Sequence, residues 1–273
     1  MTVYDARNTW WELRAQPPEL AILPVGATEA CGPHLPVGAM NLILGAIARA
    51  VAERLAEDVY LLPTWPLGAN PQYRHLAGSV SLSWRALLAA LTDVVNALRR
   101  SGIHRVAVLA GLGGAGHTTA LPFENEIVKT AVRQLNYAHP DLTAIWVQPL
   151  TVADPPLATL YPAAQDEVRA GAIVTSLMLH LHPDLVRPLP ADHVPPETPD
   201  GAAPARLSYL RALPFEALCP LGVWGRPSQA SAELGDRILR AASDGTARYI
   251  TETLVQVARL KGAPAQPGQP TSE

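Results

Sequence analysis

The chain has 273 residues, 48% hydrophobic and 16% charged, which suits a large buried core and excludes a disordered chain. Its net charge is −3, and its basic residues are Arg apart from Lys129 and Lys261, so no nucleic-acid partner is expected. The two cysteines make no disulfide framework, and no apolar run reaches the ~18 residues of a membrane span.

In chain order, residues 1–19 form a short amphipathic segment carrying Trp10 and Trp11. This N-terminus, MTVYDARNTWWELR, lacks the apolar core of a signal peptide, so a cytoplasmic protein with no membrane partner is expected. Leu20–Val25 reads as a strand. Leu42–Leu55 places Leu42, Ile43, Ile47, Val51 and Leu55 at helical spacing. Val59–Leu62 is a second strand. A Gly- and Pro-rich loop holding His75 follows, and a helix over Trp84–Arg99 stops at Ser101-Gly102. Val106–Ala110 suits a buried parallel strand and leads into the turn GLGGAGH. A helix over Pro122–Leu135, a strand over Leu142–Val147 and a helix over Glu167–His182 come next. Residues 189–204 are a Pro-rich surface loop. Leu221–Trp224 is short and extended, and Ala230–Leu260 is a long closing helix. The alternation of strands and helices predicts one α/β domain over 1–260 with a mainly parallel sheet. Residues 261–273, rich in Pro and Gly, read as a disordered tail.

Chemistry concentrates in the loop after the first buried strand, PVGATEACGPHLPVGAMN. It carries a carboxylate (Glu29), a thiol (Cys31), an imidazole (His34) and a carboxamide (Asn41) on a stiff turn. The glycine turn GLGGAGH lacks the Lys-Ser/Thr pair of a phosphate loop, so nucleotide binding is rejected.

Five stretches in register resemble the creatininase-like amidohydrolases. PVGATEACGPHLPVGAMN is similar to that family's P-V-G-S-x-E-Q-H-G-P-H-L-P-x-x-T-D, and HLAGSVSL to F-P-G-T-x-S-L. AGLGGAG stands at its N-G-H-G-G-N, DEVRAGAIVTSLML at D-x-H-A-G-E-x-E-T-S, and LGVWGRPSQASAELG at G-V-x-G-D-P-x-x-A-S-x-E-x-G. The resemblance implies a three-layer α/β/α fold, often a hexamer, and two divalent ions that activate water against a C–N bond. It implies Glu29 as a kept metal ligand. The other ligand positions have changed: Cys31 and Arg169 replace histidines, Asn41 replaces a bridging Asp, Leu112 replaces the glycine-turn His, and Ala172 and Val174 replace carboxylates. Ala110 and Ala115 replace flanking asparagines.

A hard divalent ion needs oxygen or imidazole ligands with negative charge. Asn41 offers one neutral oxygen, and Leu112 and Val174 offer none. Arg169 adds a fixed positive charge, whose repulsion of a cation a few ångströms away costs several kcal/mol at an effective dielectric of about 20. No di-metal centre and no cofactor is therefore expected. One zinc on Glu29 and Cys31, with His75 or His117, is the alternative, and it lacks a fixed fourth protein ligand.

Arg169 is expected to pair with Glu29 or to clamp a carboxylate of the substrate. Glu29 is either a general base or a structural carboxylate. Cys31 is either a nucleophile or a small buried thiol. His34 serves catalysis or holds its turn, and His75 lies at a pocket rim. His117 is a candidate replacement for the imidazole lost at Leu112. Trp65, Trp84 and Trp224 line a pocket or pack, and His180 and His182 lie on the surface. Three functions follow. The first is a metal-independent enzyme acting on a small amide, lactam or cyclic carboxylate-bearing compound, by hydrolysis, cyclisation or isomerisation, with acid–base chemistry through Glu29. Cys31 and Asn41 would stand beside the reacting group, with Arg169 orienting it. The others are an inactive homologue that binds a ligand or partner subunit, and a single-metal amidohydrolase. A homo-oligomer is expected in each case.

Overall fold

The computed structural model describes residues 1–111, 123–194 and 215–262. Its centre is a parallel sheet of strands β1 (Val3–Tyr4), β2 (Leu20–Val25), β3 (Val59–Leu61), β4 (Arg105–Ala110) and β5 (Thr143–Val147), in the order β1-β3-β2-β4-β5. β2 lies at the middle, with Ile22 opposite Leu61 on one side and Ala107 on the other. All six of its residues are buried, as expected of a strand covered on both faces.

The pleat divides the core. Leu20, Ile22, Ala107, Leu109, Ile145 and Val147 face one side. They meet helices α2 (Ala39–Ala52), α6 (Ala172–Leu181) and α7 (Ala232–Gly262). Ala21, Leu23, Val25, Val106, Val108 and Ala144 face the other, against α3 (Trp84–Arg100) and α4 (Phe123–Ala138). α3 shows why its sequence is helical: Leu87, Leu91, Val95 and Leu98 recur at three- and four-residue spacing and are its buried face. Each such side chain stabilises by roughly 1.5–3 kcal/mol. Ser83 caps the helix by accepting from the Ala86 amide. The expected α/β/α architecture is present.

Two short N-terminal elements frame the edge. β1 pairs with β3, and α1 (Trp10–Ala15) is closed by a Thr9–Glu12 capping box but buries none of its residues. Trp10 and Trp11 are exposed, packed edge to face on each other. A one-turn helix, α5 (Leu157–Leu160), precedes the segment leading to α6. α7 runs two residues beyond the expected domain boundary of 260, and 263–273 lie outside the described residues. Among the described residues no helix is long and apolar enough to cross a membrane.

One expected element starts late. The helix read over Glu167–His182 begins at Ala172. Ala170 has a left-handed φ of 50°, and Arg169 pairs in an antiparallel bridge with Trp224, Trp224 N donating to Arg169 O at 2.8 Å. The Glu167 carboxylate lies against the open N-terminus of α6, where the nearby Ala172 and Ile173 amides favour its charged form. A Cβ on Gly171 would lie 1.7 Å from Glu167 Oε2, so only glycine fits between them. Periodicity located the apolar body of the helix. It could not show that the residues before Gly171 belong to a turn.

Candidate functional site

β2 and β4 are where the order of the sheet reverses: the chain leaves β2 toward β3 and leaves β4 toward β5. Loops at the carboxyl ends of such strands form a crevice. The loop after β2 is fixed there by backbone bonds, Gly26 N donating to Trp65 O at 2.8 Å and Glu29 N to Val37 O at 2.9 Å. Ala30 N donates to Ser79 Oγ.

Glu29 is buried, and its Oε1 accepts from Arg169 Nη1 at 2.6 Å. The pair is 5% and 7% exposed in its side chains, so this is an interior ion pair. Arg169 also donates from Nε and Nη2 to Ala30 O. The Arg169 Cζ sits 3.9 Å from the centroid of the Tyr73 ring, a cation–π contact. Tyr73 is held edge-on by Phe215, which stacks on Trp224. Of the two roles expected for Arg169, the contact with Glu29 is the one formed. Three of the five guanidinium N–H groups are engaged in these bonds. Glu29 Oε2 is buried and has no hydrogen-bond partner among the described residues.

Cys31 is 1% exposed, and the Ala170 amide lies near it. Burial pushes its thiol up to about 11; nearby Arg169 lowers it and Glu29 raises it. It therefore stays protonated at neutral pH, which suits the buried-thiol role. At pH 7.5 iodoacetamide is expected to modify Cys31 at least about 100-fold more slowly in the folded chain than in urea. Peptide mapping by mass spectrometry checks this, and folded-state labelling at a free-thiol rate would restore the nucleophile reading.

His34 is fully buried. Its Nε2 shares a 2.8 Å hydrogen bond with Thr175 Oγ1, and its carbonyl accepts from Arg187 N. It ties the loop to α6, and burial pulls its imidazole down to about 4. Asn41, in the first turn of α2, donates from Nδ2 to Thr28 Oγ1 at 3.2 Å, while its buried Oδ1 has no hydrogen-bond partner among the described residues.

Glu29, Cys31, Arg169 and the aromatic group around Tyr73 therefore come together, with Asn41 in the first turn of the helix that follows the loop. His75 does not join them: it is exposed and accepts from Arg74 Nε at 2.9 Å. His117, Leu112 and Ala115 lie outside the described residues. Trp224 is buried in the aromatic group, whereas Trp84 is 43% exposed. Sequence reasoning missed Tyr73, two residues from the histidine that drew attention in the same loop. It also missed Glu167, whose Oε1 accepts from Arg226 N at 2.8 Å and from Tyr161 Oη. Burial raises the Glu167 carboxyl above its usual range, against these hydrogen bonds. Its adjacency to Arg169 in DEVRAG was the available signal.

The family model described as creatininase, creatinine amidohydrolase, matches residues 6–250. Creatinine amidohydrolase of Pseudomonas putida is 29% identical over 265 residues, covering 92% of this chain and 97% of the relative. A mycofactocin precursor peptide peptidase of Mycolicibacterium smegmatis is 29% identical over 238 residues, covering 85% and 84%. A solved creatininase is similar at a TM-score of 0.68 and 28% identity, covering 91% of this chain and 97% of that one. Other similar structures are a manganese creatininase and a zinc–zinc form of a creatininase variant.

The residues described here do not fit such a metal pair. Among them no three His, Cys, Asp or Glu side chains cluster to hold an ion. The retained carboxylate, Glu29, faces a buried guanidinium, and Cys31 is held as a neutral thiol. The fold, the order of the motifs and the coverage of the family model together make the chain a member of the creatininase family, with an arginine paired to the kept acidic residue of its site.

Proposed function

We propose that this chain hydrolyses a C–N bond in a small amide, lactam or cyclic carboxylate-bearing compound without a di-metal centre. The observation that supports this reading is the buried Arg169 guanidinium on Glu29, a fixed cation beside the carboxylate that the family resemblance makes a metal ligand. Glu29 Oε2 takes a proton from water as the water oxygen adds to the carbonyl carbon. A remaining Arg169 N–H donates to the developing oxyanion. The proton then passes to the nitrogen as the C–N bond breaks. Asn41 Oδ1, buried and without a hydrogen-bond partner among the described residues, orients a donor of the substrate. A homo-oligomer is part of this proposal.

The burial of Glu29 and Arg169 favours a second reading, an inactive homologue that binds a ligand or a partner subunit. A panel of lactams, cyclic ureides and N-acyl amino acids separates the two. Turnover by chelator-treated protein, reduced roughly 100-fold or more in Glu29→Gln under conditions where circular dichroism shows the variant still folded, is the expected result. No turnover by the wild-type chain across the panel would favour the inactive homologue. Activity lost to the chelator and restored by zinc or manganese would overturn metal independence.

A further inference from the structure

A second cleft, of about 290 Å³, opens at the carboxyl ends of β1 and β3. Its size is at the bottom of the roughly 300–1,000 Å³ range of small-molecule sites. Asp5, Arg7 and Arg49 supply its charge, and Pro24, Leu61 and Leu62 are among its apolar walls. Leu61 is buried, Leu62 half-buried. Asn41, Gly45 and Arg49 recur at four-residue spacing along α2, so the cleft lies down the helix face from the candidate site. Gly26 closes the space between the two: a Cβ there would meet Asn41 Oδ1 at 2.2 Å and Thr64 Cγ2 at 3.3 Å.

The charges in this cleft do not balance. Arg7 takes Asp5 as a fork, Nε to Oδ1 at 3.0 Å and Nη2 to Oδ2 at 2.8 Å. Arg49 Nη2 also donates to Oδ2. One carboxylate thus serves two guanidiniums, and those bonds hold its carboxyl far below the usual range, Arg7 contributing most. The Arg49 side chain is 37% exposed and that of Arg7 85%. A net positive charge remains at the mouth of an apolar-walled cleft at the carboxyl ends of β1 and β3.

We infer that this cleft binds a small monocarboxylate with an apolar body, the carboxylate on Arg49 and Arg7 and the body against Leu61, Leu62 and Pro24. A second carboxylate completes a network of two guanidiniums and two acids, and charge-assisted bonds to Arg discriminate it from a neutral isostere. The site lies outside the Glu29 loop and does not depend on the reaction proposed there.

Two-dimensional amide NMR of the full chain, titrated with benzoate and with benzamide, tests this. Benzoate is expected to shift the Ala6, Arg7, Gly45 and Thr64 resonances saturably, with benzamide at least tenfold weaker. Arg49→Gln weakens benzoate at least tenfold. Arg7→Gln, at an exposed position, weakens it severalfold and decides the matter if Arg49→Gln does not fold. Equal affinity for the two probes, unchanged affinity in the folded variants, or shifts confined to the Glu29 loop would overturn the inference.

Discussion

Replacing Arg169 by Met is expected to destabilise the protein by about 3–5 kcal/mol, because it strands the Glu29 carboxylate in the interior. Glu29→Gln alone is expected to cost a comparable amount, leaving a buried guanidinium over Tyr73 without its counter-ion. The double variant Glu29→Gln/Arg169→Met removes both charges together and is expected to recover more than half of the loss. Urea denaturation of the four proteins closes the cycle. Additive single effects, within about 1 kcal/mol, would mean that the two side chains do not depend on each other. The same cycle bears on the chemistry. A strongly coupled pair ties Glu29 to a cation supplied by the chain itself, so a divalent ion on Glu29 would have to bind beside a fixed positive charge.

Lowering the pH from 6.5 to 4 is expected to cost up to about 3 kcal/mol of stability through His34 alone. The sign follows from the burial. The unfolded imidazole takes a proton near 6.5, whereas the folded one resists until about 4. Between those values the unfolded state binds more protons, so stability rises with pH and the full contribution is present above 6.5. Glu167 acts in the opposite direction, since its carboxyl is raised by burial and disfavours the folded state once ionised. Asp5, Asp58 and Asp141 are lowered by their hydrogen bonds and lose their contributions only below the ordinary aspartate range. Subtracting the curve of His34→Gln from that of the wild type isolates the imidazole. A difference that stays flat between pH 6.5 and 4 would show that His34 is protonated in place.

The loop after β2 was legible because its residue types are rare together and its glycines and prolines allow few backbone paths. Asn41 and Arg169 stood out for a related reason: they differ in charge from the residues that the family motif would place there. Which of several partners each side chain takes was not legible. Arg169 could have faced a ligand, and it faces Glu29 because Ala170 turns the backbone back and Trp224 bridges it. His75 stood out by residue type, yet the buried neighbour in its loop is Tyr73. A loop without periodicity does not say which of its residues points inward.

The layered α/β architecture, the position of β2 and β4 in its core and membership of the creatininase family could all be read along the sequence. Those follow from apolar periodicity and from motifs read along the chain, which are local properties. The tertiary structure alone decided that Glu29 and Arg169, 140 residues apart, form an interior ion pair, that Cys31 is a buried neutral thiol, and that Arg7 and Arg49 share Asp5 at a second cleft. The physical reason is common to all three. Charge state and reactivity depend on desolvation and on the nearest opposite charge, and both are set by segments that meet only when the sheet is complete.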